Sequence, residues 1–557
     1  MEILKRNWKK PIIATLILFI GFFVALSFFL IFSGGDPRPD DHYFHFKYAE
    51  LLRTEGWDVV ENFRWIYLHS GPDGVHHYSV SLFQFFLIPF TYFEDKFIGI
   101  HVADAFFASG LIAIIYYIMR REKVQHALFF TILFAGSTFF LNRFLLGRAF
   151  VLMVGFVYLE MHFAIRKKYT SLFFMVMIHI LWHQATYFMP ILVLCFVEIS
   201  RYVVEKKVFL KNFFAVVLGT LTGMAFFPGF PGSLIKLLKQ ILIIKDSTTS
   251  NSMGTMGGSE MFTKSTASIS AGHIIAGIVL FACFWAVVYV YYAYKNEDPR
   301  VKGIIKKEQI IWFVCLSFFV AFILVASFMV TGRFFDFAFP GFVFLAGCTF
   351  TILIKTNLID AQAFEGKYFA IISCIPLFCV SAFSFFSVYD NASSYDVAPI
   401  KASADWINER SETSEKVFLH NWSYFVTLFF ANSDNVYSMG LEPTTLKTYN
   451  EDLYWKYYNL FKSVYYCENR GDCKDELYDE LMVKRTSSDE RNMFKKENSK
   501  KIINSIKNDF DAKLIFSDSR EFNGVLLLNA ELIRDYKIFD VEKNEGTPIQ
   551  FAVFQLK

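Results

Sequence analysis

No glycine-rich phosphate loop, no serine nucleophile elbow and no Cys/His spacing of a zinc site occurs in this chain. Phosphate binding on a P-loop, hydrolase chemistry at a strained serine and a structural zinc are therefore not read from it. Cysteine is scarce where it would cross-link. Of the eight cysteines, Cys195, Cys283, Cys315, Cys348, Cys374 and Cys379 fall in apolar runs and read as small apolar side chains. The net charge is only +3, and in an apolar chain the placement of Lys and Arg says more than their sum. There is no internal repeat and no long disordered linker. No short apolar core with a small-residue cleavage site is present, so a cleaved signal peptide is not expected.

Apolar residues are what the chain has in excess. With 557 residues, 54% hydrophobic, 69 Phe and a mean hydropathy of +0.36, it carries more apolar surface than a soluble protein of this length would bury, and a polytopic membrane protein is expected. Pro11 to Ser33 is a run of roughly 23 residues where about 20 suffice to cross a bilayer. Lys5, Arg6, Lys9 and Lys10 precede it and place the N-terminus on the cytoplasmic side. Val80 to Tyr92 is short and holds Pro89, which reads as an interfacial helix. Further crossings are expected at Ile98–Met119, Ala127–Leu141, Ala149–Ile165, Ser171–Trp182, Ala185–Ile199, Phe213–Phe227, Ala271–Tyr294, Ile310–Val330, Phe337–Ile354 and Tyr368–Val388. That gives about eleven spans with basic inner loops, and the C-terminus outside. Residues 1–389 thus read as an α-helical polytopic bundle with outer loops at 34–97 and 229–270. The stretch from Lys245 to Ser270, rich in Ser, Thr, Gly and Met, reads as a mobile cover for a site.

From Asp390 the composition turns polar and mixed. Strands are expected at Lys513–Phe516, Gly524–Leu528 and Phe551–Gln555, with helices at Pro399–Glu409 and Asp472–Lys484, so residues 390–557 read as a soluble extracytoplasmic α/β domain. Cys467 and Cys473 flank a short polar run on the outer side, and a disulfide between them is expected there.

Chemistry concentrates near the outer face. Two prolines stiffen Asp36-Pro37-Arg38-Pro39, Asp40 and Asp41 stand where a helix needs N-terminal caps, and Gly56 offers a left-handed stop about four turns later. A carboxylate at a helix start stays ionised and oriented, available as a base or a metal ligand, although plain capping uses the same geometry. His45, one turn from His42, is a candidate metal ligand beside Asp41. Arg333 stands at the outer edge between two apolar runs and is suited to a lipid phosphate, or else to an ion pair with Asp336 or to snorkelling. Arg143 and Arg148 share the tight turn Asn142–Arg148, where they meet a phosphate or headgroups. His179 and His183, lacking the Glu of a metalloprotease pair, read as buried, hydrogen-bonded histidines. Glu260 is an isolated acid in the mobile stretch.

The motif Asp41-His42-Tyr43-Phe44-His45-Phe46-Lys47 resembles the first acidic motif, Asp-x-Tyr-Tyr-His-x-Arg, of the oligosaccharyltransferase catalytic-subunit family, within the GT-C class of polyprenol-dependent glycosyltransferases. Arg333-Phe334 through Phe337-Ala338-x-Pro340 resembles that family's Arg-Phe segment, whose Arg contacts the donor phosphate. Asn142-Arg143 through Gly147 is similar to the turn bearing its second acidic motif, but Arg148, Ala149 and Phe150 stand where an acid would follow. His420-Asn421-Trp422-Ser423-Tyr424-Phe425 falls where the family has Trp-Trp-Asp-Tyr-Gly, and keeps only the Trp and Tyr.

The resemblance implies a GT-C-like enzyme that moves a sugar or glycan from a polyprenyl-phosphate or polyprenyl-pyrophosphate carrier to a glycan, lipid or protein acceptor outside the membrane, with no nucleic-acid partner. Asp41, with Asp40, would be catalytic. Arg333, Arg148, Arg143 and Lys47, the last at the motif's Arg position, would hold the donor phosphate, and Trp422, Tyr424 and Glu260 would face the acceptor. The missing second acid favours a metal-free reaction over one using Mg²⁺ or Mn²⁺ at Asp41 and His45. The alternatives are oligosaccharyl transfer to protein, and a non-enzymatic transporter of lipid-linked glycans or membrane scaffold.

Overall fold

The apolar run after Pro11 has no polar face, so it does not fold back on itself as an amphipathic helix would. It forms one continuous helix, α1 (Pro11–Phe32), most of whose side chains remain uncovered. The computed structural model describes residues 11–32, 41–69, 80–232, 305–329, 334–356, 397–440, 450–463, 487–541 and 549–557, with isolated residues between them. In chain order the principal helices after α1 are α2 (Asp41–Glu55), α3 (Lys96–Arg121), α4 (Phe150–Ile165), α5 (Tyr169–Trp182), α6 (Met189–Glu205), α7 (Leu210–Ala225), α8 (Lys307–Met329) and α9 (Phe335–Lys355). There follow α10 (Ala398–Arg410), α11 (Phe425–Ala431), α12 (Glu451–Ser463), α13 (Ser488–Asn508) and α14 (Arg520–Leu527). Two units divide them. The first takes the described parts of Met1–Pro37, Val80–Leu234 and Glu260–Ser394, and the second those of Arg38–Ser79 and Tyr395–Lys557.

The first unit is helical. Asp95 starts α3 by accepting from the backbone N–H groups of Phe97 (2.9 Å) and Ile98 (3.3 Å), and α1 packs on α3 through Phe19 and Phe23 edge-on to Phe106. Two glycines four residues apart, Gly219 and Gly223, let α7 lie directly on α5. A Cβ at Gly219 would stand 2.7 Å from the Phe173 carbonyl oxygen, and one at Gly223 would stand 2.8 Å from the Ile180 Cβ. Small residues at this spacing bring helix backbones together. Gly341 plays the same part for α9, where a Cβ would collide with Val320 of α8 and with the Tyr158 hydroxyl, which donates to the Phe337 carbonyl.

Four helices are long and apolar enough to cross a membrane, Pro11–Phe32, Lys96–Arg121, Lys307–Ser327 and Phe335–Lys355, while Phe150–Ile165, Tyr169–Trp182 and Leu210–Ala225 are apolar but shorter. These apolar helices mark a membrane protein. The expected crossing at Ala127–Leu141 is instead broken into Ala127–Ala135 and Thr138–Phe144. Gly136 ends the first piece, and the Ser137 hydroxyl caps the second by accepting from Phe140 N (3.1 Å). Val80–Tyr92 forms the short helix Leu82–Leu87 and a 3₁₀ turn through Pro89. The expected crossings at Ala271–Tyr294 and Tyr368–Val388, the stretch Lys245–Ser270, and the helix at Asp472–Lys484 lie wholly or mostly outside the described residues.

The second unit is built on a five-stranded sheet of β1 (Lys416–Leu419), β2 (Val436–Tyr437), β3 (Leu514–Ser517), β4 (Ile533–Val541) and β5 (Ile549–Leu556), in the order β2-β1-β3-β5-β4. β1 runs parallel to β2 and β3, with Phe418 opposite Ile515, and β5 runs antiparallel to β3 and β4. Strands β3 and β5 and helix α10 fall where the sequence expects them. The strand expected at Gly524–Leu528 is not a strand. Ser519 accepts from Phe522 N (3.2 Å) and starts α14, which turns Phe522 and Leu526 into the core.

Residues 41–69, expected as part of an outer loop of the bundle, fold with this second unit. Their aromatic side chains are the reason. Tyr43 and Phe46 meet Phe430, and Phe44 meets Phe425 and Phe429, so α2 packs on α11. Further on, the Trp65 indole donates to Ser433 O (2.6 Å) and Tyr437 N donates to Trp65 O (2.8 Å), joining the segment to the β2 edge.

Candidate functional site

The sheet of the second unit changes direction between β1 and β3: the chain goes from β1 through α11 to β2 on one side, then returns to place β3 on the other. Loops leaving the carboxyl ends of two such strands diverge and leave a crevice, the usual ligand position in α/β sheets. Here β1 is followed by His420-Asn421-Trp422-Ser423-Tyr424 and β3 by Asp518 and Ser519. Each loop turns at once into a helix. Asn421 Oδ1 accepts from Ser423 N (3.1 Å) and Ser423 Oγ (2.8 Å), setting a 3₁₀ turn at Trp422–Tyr424 that leads into α11. Ser517 Oγ accepts from Ser519 N (3.1 Å).

Asp518 is the centre of the crevice. Asn421 Nδ2 donates to its carboxylate at 2.9 Å, the Tyr424 hydroxyl also donates to it, and His420 Nδ1 stands 3.6 Å away. His420 is only 4% exposed, lies against the Phe522 ring at 4.2 Å, and among the described residues makes no hydrogen bond from either ring nitrogen. A buried imidazole without a partner is unusual, because the cost of desolvating its nitrogens is left uncompensated. Burial, reinforced by the Asp518 charge, pushes the Tyr424 phenol well above its ordinary range, so it remains a hydrogen-bond donor at neutral pH. Trp422 is half-buried and Ser423 exposed at the rim. Together these groups set a carboxylate, an amide, a phenol and an indole side by side at the carboxyl ends of β1 and β3, a set that offers hydrogen-bond partners to a hydroxyl or amide group.

Asp41 is the first residue of α2, in a half-exposed position. Gly56, at φ +73°, follows the end of the helix. Thus the helix bearing Asp41 rests on the same α11 that follows Tyr424. His42 is buried against Tyr43, His45 stands against Phe44, and Lys47 Nζ meets Glu50 at 3.1 Å. Among the described residues no three His, Cys, Asp or Glu side chains converge as a metal site. Asp40, Glu260, Arg333 and Cys473 lie outside the described residues. Cys467 is disulfide-bonded.

In the first unit, Arg143 is held by Asp336, through Nε at 3.0 and 3.2 Å and Nη2 at 2.9 Å, with its guanidinium over the Phe150 ring. Arg148 lies half-buried just before α4, its N–H donating to Leu146 O (2.7 Å). His179 is fully buried and hydrogen-bonded, as expected. It meets Glu160 at 2.7 Å and Thr186 Oγ1 at 3.0 Å, and among the described residues Glu160 Oε2 has no partner. A second buried acid, Glu122 just beyond α3, meets His162 at 2.6 Å and Arg166 at 2.5 Å. Burial pushes its carboxyl up, but the two hydrogen-bonded partners outweigh that and hold it below the usual range. A third, Glu198, takes Arg201 (2.7 Å) and Asn212 (2.6 Å), while Arg201 and Asn212 also donate to the Ala164 carbonyl at the end of α4.

The sequence signal for Glu122, Glu160 and Glu198 is a lone acid in or beside an apolar run, a position acids avoid unless paired. The signal for Asp518 is a carboxylate directly after a short apolar strand. The chain matches no protein-family model, and comparison with curated proteins finds no match.

Proposed function

We propose that the chain is a membrane glycosyltransferase of GT-C-like architecture, with about eleven spans and its α/β unit outside, that transfers a sugar or glycan from a polyprenyl-phosphate or polyprenyl-pyrophosphate carrier to an extracytoplasmic acceptor. The reading is carried by one observation: the acidic motif beginning at Asp41 opens a helix directly after an apolar membrane-type helix, and that helix packs in the same unit as the crevice of Trp422 and Tyr424. Asp41 accepts the acceptor hydroxyl's proton as its oxygen attacks the sugar C1 and the carrier phosphate departs. Arg333 neutralises that phosphate. The crevice around Asp518, with Trp422 and Tyr424 at its edge, holds the acceptor.

The test is mass spectrometry of polyprenyl-linked sugars and outer glycoconjugates in cells carrying the wild-type chain or Asp41→Asn at equal membrane levels. The expected outcome is accumulation of one lipid-linked sugar and loss of one glycoconjugate. Unchanged pools overturn the enzyme reading. The buried Glu160–His179 pair favours a second reading, transport of a lipid-linked glycan coupled to charge inside the bundle. In that case His179→Gln, and not Asp41→Asn, makes the lipid-linked sugar accumulate.

A further inference from the structure

Where α3, α4 and α9 end and α8 begins, the first unit carries a small cleft that none of the roles above uses. Its wall includes Glu122, Gln309, Trp312, Thr351, Ile352 and Lys355, and its enclosed volume is only ≈ 20 Å³, room for a small ion and not for a drug-sized ligand. Most of its polar atoms are engaged. Thr351 Oγ1 accepts from Gln125 N (2.8 Å) and donates to Gly347 O (2.7 Å), and Gln309 Nε2 donates to Glu122 O (3.0 Å). The Glu122 carboxylate is taken by His162 and Arg166, and Glu308 in the first turn of α8 acts on Arg166 as well.

Three donors are left over. The Trp312 side chain is 1% exposed, yet among the described residues its indole N–H reaches no acceptor. Lys355, half-buried, and Lys123, exposed beside it, stand close enough to repel one another, and among the described residues neither has a carboxylate within ion-pair distance. Native folds rarely leave a buried donor unsatisfied, and two unpaired ammonium groups are not brought together without cost. The amino end of α8 adds partial positive charge to the same place. In the lining itself the unmet polar groups are the Trp312 N–H and the Lys355 ammonium, with Lys123 adding a second cation beside them, and an acceptor bearing negative charge would meet these.

We propose that this cleft binds a phosphate-type oxyanion, with the Trp312 N–H donating to one oxygen and Lys355 and Lys123 facing the others. Lysine serves such a group as a mobile point charge, and Ile352 and its apolar neighbours accept the carbon next to it. The phosphate comes from a lipid headgroup or from free phosphate. The inference is independent of the glycosyltransferase reading.

The full chain is compared in nanodiscs of neutral phosphatidylcholine and in nanodiscs containing phosphatidylglycerol, with native mass spectrometry counting retained anionic lipid. In parallel, its thermal midpoint in neutral nanodiscs is followed against inorganic phosphate, with chloride at equal ionic strength as the control. Retained lipid identifies a headgroup site, and a phosphate-dependent rise in midpoint identifies a site for the free ion. In either arm, Trp312→Phe, which keeps the ring, and Lys123→Gln, which changes only an exposed residue, weaken binding about tenfold each, the effect of one lost charge-assisted hydrogen bond. No lipid retention together with no phosphate response overturns the proposal, and so does binding equal in wild type and both variants.

Discussion

Arg143 shows how a residue can be legible in kind and not in use. Two arginines in one tight turn stand out in the sequence, and a phosphate or headgroup is a natural partner for them. The structure gives Arg143 to Asp336, 193 positions away, and no local pattern announces a pair at that separation. Asp336 is nearly buried, and the Arg143 guanidinium meets its carboxylate through two nitrogens. Arg143→Gln is expected to destabilise the first unit by roughly 1–3 kcal/mol, the loss of a charge-assisted, mostly buried pair, while leaving donor affinity unchanged in the protein that remains folded. Thermal melts in detergent with a parallel donor-binding titration separate the two effects. A normal midpoint with weakened donor binding would return Arg143 to the donor site. His179 makes the same point more favourably: its burial was readable from its apolar neighbours, but Glu160 as its partner was not.

At the scale of elements, local chemistry was read well and partnership poorly. The start of α2 at Asp41 goes with a carboxylate in its first turn, which suits the helix's amino end, and its stop with Gly56, a glycine that tolerates positive φ. That α2 packs on α11 follows from which aromatic rings interlock, a property of two segments nearly 400 residues apart. Gly524–Leu528 reads as a strand in the sequence and folds as a helix because an apolar run of that length suits a strand and a short amphipathic helix alike, and the deciding group, the Ser519 cap, lies outside the run. The glycine pair of α7 is an element-scale signal present in the sequence, meaningful only once α5 lies against it. Gly223→Leu is expected to force α5 and α7 apart, costing about 1–3 kcal/mol as overpacking does. Gly21→Leu on α1, where a Cβ meets nothing within 4 Å, is the control. Equal thermal midpoints for the two variants would show that the close approach contributes nothing.

At the scale of the molecule, the second unit hides an unusual number of phenols. Burial raises the pKa values of Tyr48, Tyr67, Tyr424, Tyr437 and Tyr457, and Tyr454 is pushed up to about 12. An unfolded tyrosine ionises near 10. Below that pH both states are protonated and the full stability is present. Above it the unfolded chain releases protons that the folded unit retains, so stability falls as pH rises from about 10 through about 12. Melts of the full chain by circular dichroism are expected to show a flat midpoint up to pH 9 and a steep decline beyond 10, with the last fraction of the tyrosinate absorbance, that of the buried rings, appearing together with unfolding. Ionisation of all 28 tyrosines while the chain is still folded would contradict the burial of these rings.

Taken by itself, the sequence determined the membrane character, the change to an α/β composition after Asp390, strands β3 and β5, helix α10 and the limits of α2. Each of these is written in the hydropathy, period or capping of neighbouring residues, and interactions within one element are local along the chain. Only the tertiary structure decided that residues 41–69 fold with the α/β unit, that Asp518 and His420 complete the crevice beside Tyr424, that Asp336 takes Arg143, and that Trp312 and Lys355 line one cleft. These depend on which faces interlock when remote segments meet, and packing and ion pairing are set by distance in space, which neither periodicity nor composition records.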